Sequence, residues 1–110
     1  MSDYYYLDVS LEVIPAEKEK VSAVYFKNHV MQSMKILFGE VGASIPVDVL
    51  KYDIEKQRAV LRCPAESYVK LHSSLTLRGD YGGSSCVYKV HQTSPFLLSL
   101  LSNSRTYSHV

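Results

Sequence analysis

From Tyr5 to Val13 hydrophobic and polar positions alternate, with Tyr5, Leu7, Val9, Leu11 and Val13 on one side and Tyr6, Asp8, Ser10 and Glu12 on the other. A period of two sends successive side chains to opposite faces, so this segment predicts a strand with one buried face. Pro15 ends it. After the charged stretch Glu17-Lys18-Glu19-Lys20, apolar residues at Val24, Val30, Met31, Met34, Leu37 and Phe38 predict one stripe along a helix. That helix closes at Gly39, a residue suited to a left-handed cap. A loop around Gly42 leads to a second strand over Val47 to Tyr52, a polar turn over Asp53 to Gln57 and a third strand over Arg58 to Cys63, which together read as a hairpin. Pro64 sits where a second helix can begin; Tyr68, Leu71, His72 and Leu75 share a face of it, and Gly79 closes it. The turn-rich run Gly79-Asp80-Tyr81-Gly82-Gly83 precedes a fourth strand over Ser85 to Thr93, where Cys86, Tyr88 and Val90 alternate with Val87, Lys89 and His91. Ser94-Pro95 then reads as an N-cap followed by a proline at the first helical position, opening a short helix over Phe96 to Leu101.

Strand, helix, strand, strand, helix, strand is the order of an α+β, ferredoxin-like or RNA-recognition-like βαββαβ sandwich, here with an additional short C-terminal helix. One domain is expected over residues 4–104, with 105–110 as a flexible tail. The third strand carries no aromatic residue, which removes the base-stacking platform that an RNA-recognition motif presents. Recognition through shape, backbone charge or a protein partner is favoured instead. The last helix is apolar almost all round, so it must cover either the sheet's open face or another protein. Tyr6, Phe96, Leu97 and Leu101 are the candidate partner-facing residues, and packing of Tyr6 beneath the chain's own last helix is the alternative.

A length of 110 residues allows one core that buries roughly two thirds of the unfolded chain's surface. The net charge of +1 gives no strong overall field for a polyanion, so nucleic-acid contact would need a local basic face. Arg58, Arg62, Lys70, Arg78 and Lys89 are the candidates for such a face, each able to meet a phosphate if the fold brings them together. No segment reaches the ~20 apolar residues of a membrane span and no signal peptide is apparent, which predicts a soluble intracellular protein. Cys63 and Cys86 lack metal-motif spacing and suit reduced core thiols.

Catalytic chemistry finds little support. His29, His72, His91 and His109 have no carboxylate or cysteine neighbour at zinc-ligand spacing, and Asp48 with Asp53 makes too few oxygen ligands for a cation. Small phosphatases share this fold class, but their chemistry needs a cradle of N–H groups at the exit of the first strand. Here that exit is Ile14-Pro15-Ala16-Glu17, without glycine and with an acid. The other alternative is a homodimeric regulatory or small-ligand-binding module of ferredoxin-like fold, with the Gly82-Gly83 loop near a ligand.

Three stretches together, Ile36-Leu37-Phe38-Gly39-Glu40-Val41, Ser73-Ser74-Leu75-Thr76-Leu77 and Ser94-Pro95-Phe96-Leu97-Leu98, resemble the small protein subunits of eukaryotic and archaeal ribonuclease P. The similarity runs from about Tyr6 to Ser104. It implies a non-catalytic subunit of a ribonucleoprotein whose RNA, with bound Mg²⁺, removes the 5′ leader from precursor tRNA. The implied partners are the other protein subunits, especially one of TIM-barrel fold, together with the ribonuclease P RNA and, through the complex, precursor tRNA. No cofactor is implied for the chain itself. Sharing with ribonuclease MRP and a nuclear, nucleolar location also belong to what the resemblance implies. A chain so near neutrality departs from a subunit that meets RNA over a wide surface, which shifts weight toward bridging among proteins.

Overall fold

The computed structural model describes residues 3–14, 20–81 and 84–97. Its elements are β1 (Tyr4–Ile14), α1 (Ala23–Ser44), β2 (Asp48–Asp53), β3 (Arg58–Pro64), a 3-10 turn (Ala65–Ser67), α2 (Tyr68–Leu77), β4 (Asp80–Tyr81) and β5 (Ser84–Ser94). The strands form one sheet in the order β2-β3-β1-β5-β4, and every pairing is antiparallel. With two helices on one face, this is the expected ferredoxin-like sandwich. The two-residue β4, inside what the sequence reads only as a turn, extends the sheet by a short hairpin.

The alternation in β1 is realised as predicted. Leu7, Val9, Leu11 and Val13 are buried against Phe26, Val30 and Met34 of α1 and Leu71 and Leu75 of α2, with Ala59, Leu61, Cys63, Cys86 and Tyr88 completing the layer. Each large side chain fully buried here contributes roughly 1.5–3 kcal/mol of transfer free energy. Tyr5 stacks on Tyr68 at 4.6 Å between centroids, which ties the start of β1 to the start of α2.

Three details of the helices differ from the sequence expectation. The core stripe of α1 is Phe26, His29, Val30, Ser33 and Met34, whereas Val24 is 66% and Leu37 41% exposed. Ser22 starts the helix by accepting the Tyr25 N–H at 3.3 Å. Gly39 does take positive φ, at 64°, but the chain re-enters helical geometry and continues to Ser44 instead of stopping. This return packs Gly42 against α1, where a Cβ would collide with the Met34 carbonyl. Finally, Pro64 closes β3 and precedes the 3-10 turn, so α2 itself begins at Tyr68.

Ser94 Oγ accepts the Phe96 N–H at 2.9 Å, the cap contact expected for a helix opening there. Leu98, Leu100, Leu101, the Gly82-Gly83 pair, Pro15 to Glu19, His109 and the 105–110 tail lie outside the described residues. No helix among the described residues is long and apolar enough to cross a membrane.

Candidate nucleic-acid interface

The face of the sheet away from the helices is built on the alternate residues of the same strands: Tyr4, Tyr6, Asp8 and Ser10 of β1, Arg58, Val60 and Arg62 of β3, and Lys89 of β5. Near its centre Val60 is completely buried, with Tyr6 and Leu97 packed against it. Two of the candidate partner-facing residues, Tyr6 and Leu97, therefore contact the chain's own sheet. Phe96 beside them is 66% exposed, and Leu101 is not described. The surface on which an RNA-recognition motif stacks bases is filled here by an aliphatic floor and the chain's own side chains.

Next to Val60 lies an ion pair. Asp8, 1% exposed, takes two hydrogen bonds from Arg58, Nε to Oδ1 at 2.8 Å and Nη2 to Oδ2 at 2.9 Å. Asp8 faces Val60 directly across the strands while Arg58 faces Ser10, so the contact is a diagonal one that only the register creates. A fork of two parallel N–H bonds on a buried carboxylate holds Arg58 in place.

The remaining predicted cations are distributed over the molecule. Arg62 donates to Asp48 Oδ2 from Nε at 3.1 Å and from Nη2 at 2.8 Å, and its guanidinium lies 4.9 Å from the centroid of the Tyr4 ring. Lys70, on α2, sits 6.0 Å from the centroid of Phe38. Arg78, just past α2, donates from Nε to the Asp80 carbonyl at 3.1 Å and lies 3.4 Å from the Asp80 carboxylate, while its buried Nη1 has no hydrogen-bond acceptor among the described residues. Arg58, Arg62 and Lys89 thus share the open face, and Lys70 and Arg78 belong to the helix layer. The five do not converge, and the three arginines each face an internal carboxylate.

A cleft of about 340 Å³ opens beyond the ion pair, at the end of β1 that projects past β3; its polar lining includes Ser10, Glu12, Lys20, Lys56, Lys89 and His91. His91 Nε2 and Ser10 Oγ are 2.7 Å apart. Desolvation and then the Arg58 charge lower the His91 pKa below the ordinary histidine value. Gln57, the only non-glycine with positive φ among the described residues at 49°, braces this end of the sheet. Its Oε1 accepts the Val21 N–H at 3.0 Å and its Nε2 donates to the Leu11 carbonyl at 3.0 Å. Sequence reasoning missed Lys20 and Lys56 here, and their only sequence signal is a position flanking predicted elements.

The buried polar group of the opposite face is His29. Its Nε2 lies 2.7 Å from the Asp80 carbonyl, which can only accept, so Nε2 carries the hydrogen and Nδ1 accepts from the Tyr88 hydroxyl at 2.6 Å. Burial, first among the causes, lowers the His29 pKa. Asp53 accepts the Glu55 and Lys56 N–H groups at 3.0 and 3.2 Å and so caps the β2–β3 turn. No group of three His, Cys, Asp or Glu side chains forms a metal-sized cluster among the described residues. Cys63 and Cys86 are free and buried, and burial raises the Cys63 thiol pKa to about 11.

The fold and its filled sheet face define a small ferredoxin-like protein, and comparison with known sequences supplies the class. Residues 3–77 match the family model of the ribonucleases P/MRP protein subunit Pop8, and the chain belongs to that family. It is 45% identical over 104 residues to ribonuclease P protein subunit p14 of Mus musculus, covering 94% of this chain and 84% of the mouse protein. The Homo sapiens p14 is 44% identical over the same length, with 83% of that protein covered. Among solved structures, a chain in the cryo-EM structure of yeast ribonuclease MRP superposes with a TM-score of 0.75 at 12% identity, over 96% of this chain and 94% of that one, and so supports the fold. These findings give no support to a homodimeric ligand-binding module.

Proposed function

We propose that this chain is a non-catalytic protein subunit of the ribonuclease P ribonucleoprotein, supporting 5′-leader removal from precursor tRNA by assembling with other protein subunits and the catalytic RNA. The observation that carries the reading is the 45% identity to p14 across 94% of the chain. Several surface features agree with an architectural part. Val24, Tyr25, Ile36, Val41, Val69 and Leu77 of the two helices are each more than 60% exposed, an apolar outer layer of the kind that other subunits cover. The partners in this reading are the other ribonuclease P protein subunits, especially the TIM-barrel subunit. In this reading the Mg²⁺ of the reaction belongs to the RNA, and the chain works in the nucleus and nucleolus with its particle.

Purifying the tagged full chain from cells and sequencing the RNA that accompanies it tests the reading. The ribonuclease P RNA is expected, and depletion of the chain is expected to accumulate 5′-extended precursor tRNA. Absence of that RNA together with normal tRNA maturation after depletion would sink the reading. Recovery of ribonuclease MRP RNA in the same experiment shows whether the subunit is shared, and imaging of the tagged chain checks the nucleolar location.

A further inference from the structure

We propose that the cleft at the projecting end of β1 holds one ribose–phosphate unit of a single-stranded RNA segment, an inference that rests on the subunit reading above. The cleft exists because two strands differ in reach. β3 begins at Arg58, opposite Ser10, so residues 11–14 of β1 run on without that neighbour. The space beside them is walled by the β2–β3 turn, by Lys20, and by Lys89 and His91 of β5. Gln57 joins two of these walls through its side-chain amide, which leaves the backbone frame fixed before any ligand arrives.

Three lysines from segments distant in the sequence, Lys20, Lys56 and Lys89, line this one space. Lys20 and Lys89 form no ion pair among the described residues, whereas Arg58, Arg62 and Arg78 each face a carboxylate. Lys20 and Lys89 are thus placed at this end of the sheet, away from its filled centre. Ser10 and His91, hydrogen-bonded to one another, add polar groups to the lining.

Glu12 and Glu55 line the same cleft and define the ligand more narrowly. Their charges oppose a run of phosphates such as a duplex backbone presents, since like charges close together in a partly enclosed space are strongly unfavourable. Carboxylate oxygens do accept hydroxyl donors, and the ribose 2′-hydroxyl is such a donor adjacent to each RNA phosphate. Ammonium groups for one phosphate and a carboxylate for the neighbouring sugar together match RNA and disfavour DNA. The volume, about 340 Å³, lies in the range of small-ligand sites.

The test uses the protein assembly carrying the full chain, with ribonuclease P RNA as the probe and affinity measured against salt. Lys20→Ala with Lys89→Ala is expected to weaken binding and to flatten the slope of log affinity against log salt by about 0.7 for the phosphate released. Incorporation of the chain among its protein partners is expected to stay at the wild-type level. Glu12→Gln is expected to leave the salt slope unchanged while reducing the assembly's preference for a single-stranded oligoribonucleotide over its deoxy counterpart. Lys27→Ala, exposed on α1 away from the cleft, is the control. An unchanged slope in the double variant overturns the site, and so does an equal loss in the control. Capture of an acidic peptide by the same lysines, with RNA affinity unaffected, overturns it as well. Failure of the wild-type assembly to retain the RNA at all instead brings down the subunit reading, and is seen before any variant is made.

Discussion

The two faces of the sheet bury their centres by different means. On the helix side Leu7, Val9, Leu61 and Phe26 have no exposure at all, and among the buried polar residues there His29 is bonded on both ring nitrogens and Ser33 donates to the His29 carbonyl. On the other side an aliphatic residue, Val60, shares the centre with a carboxylate and a guanidinium. The helix face draws its stability from apolar area removed from water. The open face depends on one paired charge, whose removal leaves its partner stranded in a desolvated position. A ferredoxin-like sheet can thus close its open face with an aliphatic centre, an ion pair and its own Tyr6 and Leu97.

The contrast can be broken at either face. Phe26→Ala is expected to cost about 3–5 kcal/mol by leaving a cavity between α1 and the sheet, beside Tyr52 and Tyr88, whereas Leu97→Ala, in the open-face cluster, is expected to cost about 1 kcal/mol for the smaller area it covers. Urea unfolding of both variants compares them directly, and equal losses would contradict the assignment of the main core to the helix side.

Asp8→Ala is expected to destabilise by about 3–5 kcal/mol, because Arg58 then stays buried without a counter-charge. Replacing both, Asp8→Leu with Arg58→Met, is expected to recover most of that loss, as apolar pairs commonly substitute for buried ion pairs. A double-mutant cycle measures the coupling. Full additivity would show that the pair is not energetically joined.

The smallest expected effect is a pH dependence on the helix side. The folded-state pKa of His29 lies below its unfolded value, so the unfolded chain binds the proton more readily. Its contribution is complete above the ordinary value of about 6.5 and is lost as pH falls from there through the folded-state pKa. His91, also lowered, adds in the same direction. His29→Gln is expected to flatten the fall in urea midpoint over that range, and a profile as steep as the wild type's would remove His29 as its source.

Much of the architecture was legible in residue order. The period of two in Tyr5 to Val13 and the turn residues after Tyr52 gave the central strand and the hairpin, because both signals are local. The stripe of α1 was misplaced at Val24 and Leu37, since counting apolar residues overlooks buried polar ones such as His29 and Ser33, which the interior accepts once hydrogen-bonded. The absence of aromatics from Arg58 to Cys63 leaves Val60 at the centre of the open face. The basic-face candidates were chosen by element alone. Nothing in a linear chain showed that Arg58 and Arg62 would meet Asp8 and Asp48, that Lys70 and Arg78 would lie in the other layer, or that Lys20 and Lys56 would join Lys89. The motif resemblance, strongest to the fourteen-kilodalton subunit, agrees with the measured identity to p14.

By itself the sequence determined which segments become strands and helices, which side of β1 faces the core, and which family the chain belongs to, because periodicity, turn chemistry and motif order are written locally. Tertiary structure alone decided which cations are neutralised and which still face outward. Ion pairing and cleft formation depend on strand register and strand length, and those are settled only when segments distant in the chain are brought to within a few ångströms of one another.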